Sequence, residues 1–200
     1  MNKLKIVTAA TALALSTSAN AALLERLGGL AYYDDVADLT WLADANASGT
    51  TMDWATANNW AAGLTVGGKD GWRLATSDTC SGYDCTNSEM GNLFYNVLGG
   101  SAGSSIATTH NTNYDLFSNI QPTLYWTSTD SYLGEGGFNW GFNMASGEQF
   151  AASTSQRNYT WYVQTGDVSA VPVPAAVWLF SSGLIGLVSV ARRNLKVKSI

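Results

Sequence analysis

Six of the ten basic residues of this 200-residue chain lie at its two extremities, and each group borders an apolar run. That arrangement assigns both ends to a membrane and leaves only the stretch between them to fold in water. At the start, Lys3 and Lys5 precede the apolar run Ile6 to Leu15, and Ala19-Asn20-Ala21 follows as an A-x-A cleavage site. Charged start, short apolar stretch and small-residue site together describe a secretory signal peptide over residues 1–21, cut by signal peptidase after Ala21. At the other end, residues 175–191 form a second apolar segment, followed by Arg192, Arg193, Lys196 and Lys198. As a helix it would reach about 26 Å, the short end of what crosses a bilayer. The basic tail would stay cytoplasmic and leave the body outside the inner membrane.

Residues 22–170 are about the size of one domain. They hold all 15 acidic residues but only Arg26, Lys69, Arg73 and Arg157 as cations, a balance of 4 − 15 = −11. Such a surface repels phosphate, and nucleic acid is excluded as a partner. A lone histidine, His110, excludes a His-rich metal centre.

Local patterns predict an α+β domain with two helices and short antiparallel strands. Leu30 to Val36 and Leu39 to Leu42 read as strands around an Asp34-Asp35 turn. Thr51 to Leu64 reads as a helix with Trp54, Ala57, Ala61 and Leu64 on one face, stopped by Gly67-Gly68. Thr86 to Glu89 has the form of a capping box, and Met90, Leu93, Phe94, Val97 and Leu98 then recur at helical spacing up to Gly99-Gly100. Phe138, Trp140, Phe142 and Met144 alternate with smaller or polar residues, as do Tyr159, Trp161 and Val163. Both runs read as strands, with a turn at Ala145 to Glu148 between the first and a returning segment, Gln149 to Ala152.

Among candidate sites, Cys80 and Cys85 in an exported chain are expected to form a disulfide across a four-residue loop. His110 lies in a polar loop and no G-x-S-x-G setting is present, so a catalytic triad is not expected. Asp34, Asp35, Asp38 and Asp44 form the densest acidic group, without an EF-hand pattern, and read as solvated surface. No metal or other cofactor is expected. Most aromatic residues sit at core-like spacing, leaving Tyr83, Tyr114 and Tyr132 in loops as candidates for stacking on sugar.

Two family resemblances add to this reading. Val171-Pro172-Val173-Pro174-Ala175, the apolar run and Arg192-Arg193 resemble the PEP-CTERM class of bacterial sorting signals in its Val-Pro-x-Pro-Ala variant, over residues 171–200. The resemblance implies recognition by an exosortase, a membrane enzyme that releases or transfers its substrate, in a Gram-negative bacterium that makes exopolysaccharide. The two prolines also keep Val171 to Pro174 extended, a form suited to threading into a processing cleft. In the body, Tyr33-Asp34-Asp35, Leu39-Thr40-Trp41-Leu42, Trp54-Ala55, Gly71-Trp72-Arg73-Leu74 and Tyr125-Trp126-Thr127-Ser128-Thr129 resemble the Lcl C-terminal-like domain. Ala75 stands where that family usually has proline. This second resemblance implies a C-type-lectin-like fold in an exported or surface protein without a general enzymatic role. A C-type lectin would show a Glu-Pro-Asn or Gln-Pro-Asp triplet, whereas this chain has Gln121-Pro122-Thr123, so calcium-dependent sugar binding is not expected. The expectation is an exported, non-catalytic surface or biofilm-matrix protein processed by an exosortase. A carbohydrate-binding module contacting exopolysaccharide and a polysaccharide hydrolase are the alternatives.

Overall fold

A computed structural model describes residues 23–130 and 136–169. The signal-peptide positions Ala19 and Ala21, Tyr132, the Val171 to Ala175 motif, the 175–191 segment and Arg192-Arg193 lie outside the described residues. Among the described residues no helix is long and apolar enough to cross a membrane.

The described residues form a mixed helix and strand domain with two antiparallel sheets. Strands β1 (Leu23–Arg26), β2 (Ala31–Asp34), β3 (Leu39–Leu42), β4 (Arg73–Leu74) and β8 (Tyr162–Thr165) make a sheet of order β1-β2-β3-β8-β4. Strands β5 (Leu124–Asp130), β6 (Phe138–Asn143) and β7 (Glu148–Ser153) make the second. In the first sheet, the last strand lies between β3 and β4. β1 has no clear periodic signal, yet Arg26 at its end grips Asp167 through two hydrogen bonds of 2.7 Å, tying the start of the domain to its end.

The β2–β3 connection follows its sequence. The Asp34 Oδ1 accepts from the backbone N–H of Val36 and of Ala37, both at 3.0 Å, so the side chain substitutes for backbone partners in the turn. Helix α1 (Trp54–Gly63) begins three residues later than its pattern predicts. Met52 exchanges backbone hydrogen bonds with Asn158, and Asp53 caps the helix by accepting from Thr56 N–H. Ala57 and Ala61 form its buried face, and the chain turns back through a bridge between Val66 and Lys69.

Helix α2 (Glu89–Asn92) corrects the capping box. Its N-cap is Ser88, whose Oγ accepts from Gly91 N–H at 3.0 Å and donates to Cys85 O at 2.9 Å. Glu89 does not reach back to Thr86. Its carboxylate pairs with both terminal nitrogens of Arg73 at 2.7 and 2.8 Å and accepts from Thr76 N–H, so an ion pair on β4 outcompetes the local cap. The chain continues as a wider π-turn from Leu93–Val97, and Met90, Leu93, Phe94, Val97 and Leu98 are all fully buried.

The alternating runs need a second correction. Phe142 and Met144 are buried and Phe142 meets Phe94 with ring centroids 5.5 Å apart, but Phe138 at the start of β6 is 44% exposed. Near the end of the domain, Trp161 and Val163 are buried as the alternation predicts, and so is Tyr162 between them. Trp41 meets Trp161 edge to face at 5.8 Å, while Trp60 of α1 stacks on Tyr162 at 4.8 Å. A sheet covered on both sides hides the period-two signal that a one-sided sheet displays.

Indole N–H groups join this core to distant backbone. Trp126 donates to Met52 O at 2.8 Å, Trp161 to Leu42 O at 2.8 Å and Trp54 to Thr127 O at 2.7 Å. Each bond satisfies a donor that burial would otherwise leave costly. Burial also raises Tyr125, and pushes Tyr162 up to about 12. An unfolded tyrosine ionises near 10, so between about pH 10 and 12 the unfolded chain binds fewer protons than the folded one. The stabilisation is therefore complete below about pH 10 and is lost as pH rises. Tyr162 alone should lower stability by about 1.4 kcal/mol per pH unit in that window. Urea unfolding at a series of alkaline pH values should show it, and a midpoint unchanged up to pH 12 would refute it.

Candidate functional site

The structure places the predicted site residues in separate settings. Cys80 and Cys85 are joined by a disulfide, with Cα atoms 5.5 Å apart. The loop they close is held from several sides. Gln149 Nε2 donates to Cys80 O at 2.7 Å, Gly82 exchanges backbone hydrogen bonds with Gln149, and the Tyr95 hydroxyl accepts from Asp84 N–H while donating to Gly147 O. Tyr83 stands out from this clamped loop, 48% exposed.

Tyr114 lies on a short 3₁₀ turn (Thr112–Leu116) and is half-buried against the core. His110 stacks on its ring, with centroids 4.1 Å apart and planes 20° from parallel. The imidazole thus covers one face of the Tyr114 ring. His110 itself is an exposed loop residue beside Asn111 O.

The acidic group does local work. Asp34 closes the β2–β3 turn, Asp38 accepts from the Tyr33 hydroxyl, and Asp44 accepts from Asn46 N–H and Asn119 Nδ2. Among the described residues no three His, Cys, Asp or Glu side chains converge as metal ligands.

A different place gathers exposed aromatic and acidic groups. An open cleft of about 770 Å³ lies where the N-terminus of α1 meets the β5–β6 end of the second sheet and the residues after β7. Its walls include Asp53, Trp54, Asp130, Phe138, Asn139 and Thr154. Trp54 is fixed by its indole bond to Thr127 O and by a backbone bond to Thr154 O. Asp130 and Asn139 face each other across β5 and β6. With its amide nitrogen toward β5, Asn139 donates to Asp130 Oδ1 at 3.1 Å and to Phe138 O at 2.8 Å. Thr154 N–H donates to Gly137 O at 2.8 Å, which holds the residue before Phe138.

Asp53 accepts from the backbone N–H and the hydroxyl of Thr56, both at 2.9 Å. These bonds, the backbone one first, hold its carboxyl below the ordinary aspartate range, with Arg157 adding a smaller electrostatic pull. The cleft therefore presents anionic oxygens beside aromatic surface. The sequence patterns missed it because its residues come from four segments. The one local clue is Phe138, a large apolar residue placed directly after Gly136-Gly137 at a strand's outer end.

No curated protein matches the chain. The family model of the Lcl C-terminal domain matches residues 31–164, from the start of β2 to the next-to-last residue of β8, and the chain belongs to that family.

Proposed function

We propose that this chain is an exported, non-catalytic surface or biofilm-matrix protein whose Lcl C-terminal domain is held at the inner membrane by the 175–191 segment until an exosortase processes it. The observation that carries this reading is the position of the fold's end. The folded unit closes at Val168, three residues ahead of Val171, so the Val-Pro-x-Pro-Ala motif follows directly on a finished domain. A processing enzyme acting there would have no strand of the described sheets to unravel. The Cys80–Cys85 disulfide suits an oxidising compartment outside the cytoplasm. In this reading the domain is C-type-lectin-like. Its support is the pairing of the early strand β3 with the late strand β8, and a second small sheet entered through the long connection from Leu74 to Leu124.

Intact-mass measurement of the protein from cells with and without the exosortase tests the proposal. A chain starting at Ala22 and ending between Val171 and Ala176, found only when the enzyme is present, is the expected result. A chain running from Ala22 to Ile200 in both strains would make the anchor permanent and defeat the sorting reading.

A further inference from the structure

The cleft between α1 and the second sheet differs from the loop tyrosines in offering aromatic surface and charge together. Phe138 is 44% exposed at its edge, and the half-buried Trp54 forms part of its wall. Asp53 and Asp130 add two carboxylates, while Asn139, Thr154 and Ser155 supply short polar groups. Among the described residues lining it none is basic. Its volume falls within the roughly 300–1,000 Å³ common for small-ligand sites.

These features select a ligand class. An aromatic ring takes the C–H face of a pyranose, and closely spaced polar groups suit a molecule with a hydroxyl on most of its carbons. Two carboxylates, of which Asp53 feels only a minor pull from Arg157 and which have no basic residue among the described lining, favour an ammonium group, which gains charge-assisted hydrogen bonds and an attraction to the ring face. The positive end of the α1 dipole, about half a charge, opposes this but is outweighed by the two full negative charges. Sulfated or uronic-acid polymers would be repelled, by the cleft and by a body carrying 15 acidic residues against 4 basic ones.

We propose that this cleft binds a hexosamine unit bearing a free ammonium group, within a polysaccharide chain. The ring rests on Phe138 and Trp54, and Asp53 and Asp130 receive the ammonium and neighbouring hydroxyl groups. The inference does not rest on exosortase processing, and its test reads binding alone.

The full chain, held in a detergent without a sugar headgroup, would be titrated by calorimetry with a glucosamine hexamer, its fully N-acetylated counterpart and a polyuronate of similar length. The glucosamine hexamer is expected to bind, the acetylated one at least about tenfold more weakly because its charge is gone. The polyuronate is expected not to bind. Asp130→Asn and Asp53→Asn should each weaken glucosamine binding about tenfold. Asparagine remains a good N-cap, so Asp53→Asn leaves α1 in place. Phe138→Ala should weaken all saccharide binding by a similar factor. Asp70→Asn, beside the Val66–Lys69 turn, removes one charge away from the cleft and should change affinity less than twofold. Absence of glucosamine binding, equal binding of the acetylated hexamer, or an Asp70→Asn loss as large as that of Asp130→Asn would overturn the proposal. So would shortening of the hexamer during incubation, which would make the domain a hydrolase.

Discussion

Replacing Trp161 with alanine is expected to destabilise the domain by about 3–5 kcal/mol, a large share of the roughly 5–15 kcal/mol that holds a typical domain together. The indole is fully buried where three rings converge. Trp41 meets it at 5.8 Å, Phe117 at 5.1 Å and Tyr125 at 6.1 Å between centroids. Alanine would leave a cavity among rigid rings that cannot collapse into it, and would strip Leu42 O of the indole donor at 2.8 Å. Trp161 precedes β8, the strand that joins β3 to β4, so the damage falls at the centre of the first sheet. Urea unfolding of wild type and variant, followed by near-ultraviolet circular dichroism, measures the loss. Trp161→Phe, which keeps part of the ring packing but lacks the N–H, should lose less. A loss below about 1 kcal/mol for alanine would show that the aromatic cluster does not hold the sheet together.

Gly91→Ala is expected to destabilise by more than about 3 kcal/mol, although alanine is the better helix former by about 1 kcal/mol. Gly91 sits in α2 without a positive φ, so conformational freedom is not its reason. Contact is the reason. A Cβ there would stand 2.0 Å from Cys85 O and 2.7 Å from Ser88 Oγ. The first is backbone next to the disulfide, and the second is the cap that satisfies the helix start. Neither can yield without moving the clamped loop or abandoning the cap. A thermal midpoint within a few degrees of wild type would refute this, since about 1 kcal/mol shifts a domain of this size by about 2–4 °C. Gly63→Ala is the matched control. It lies in α1 with no heavy atom within 4 Å of an added Cβ, and should be neutral or slightly stabilising.

Much of the fold could be read in advance where one side of an element faces the core. Met90, Leu93, Phe94, Val97 and Leu98 recur every three or four positions, and all five are buried. Asp34 beside a short polar turn predicted the β2–β3 hairpin, and its side chain makes that turn. The two cysteines needed only proximity along the chain and an oxidising setting. The reading failed where a distant partner changed the local preference. Glu89 had the position of a capping-box glutamate, but Arg73, sixteen residues earlier, holds it. Tyr162 had the position of a solvent-facing strand residue, but Trp60 covers it.

From the residues in order follow the acidic balance of the body, the amphipathic second helix, the first hairpin and the disulfide. Each depends on composition or on neighbours within about two turns of chain, where spacing alone decides which side chains share a face. Tertiary structure decided the placement of β8 between β3 and β4, the double covering of that sheet, and the cleft formed by Asp53, Trp54, Asp130 and Phe138. These groups are brought together by packing and strand pairing between segments that in the case of β3 and β8 lie more than a hundred residues apart, and no local period records which distant segments will meet.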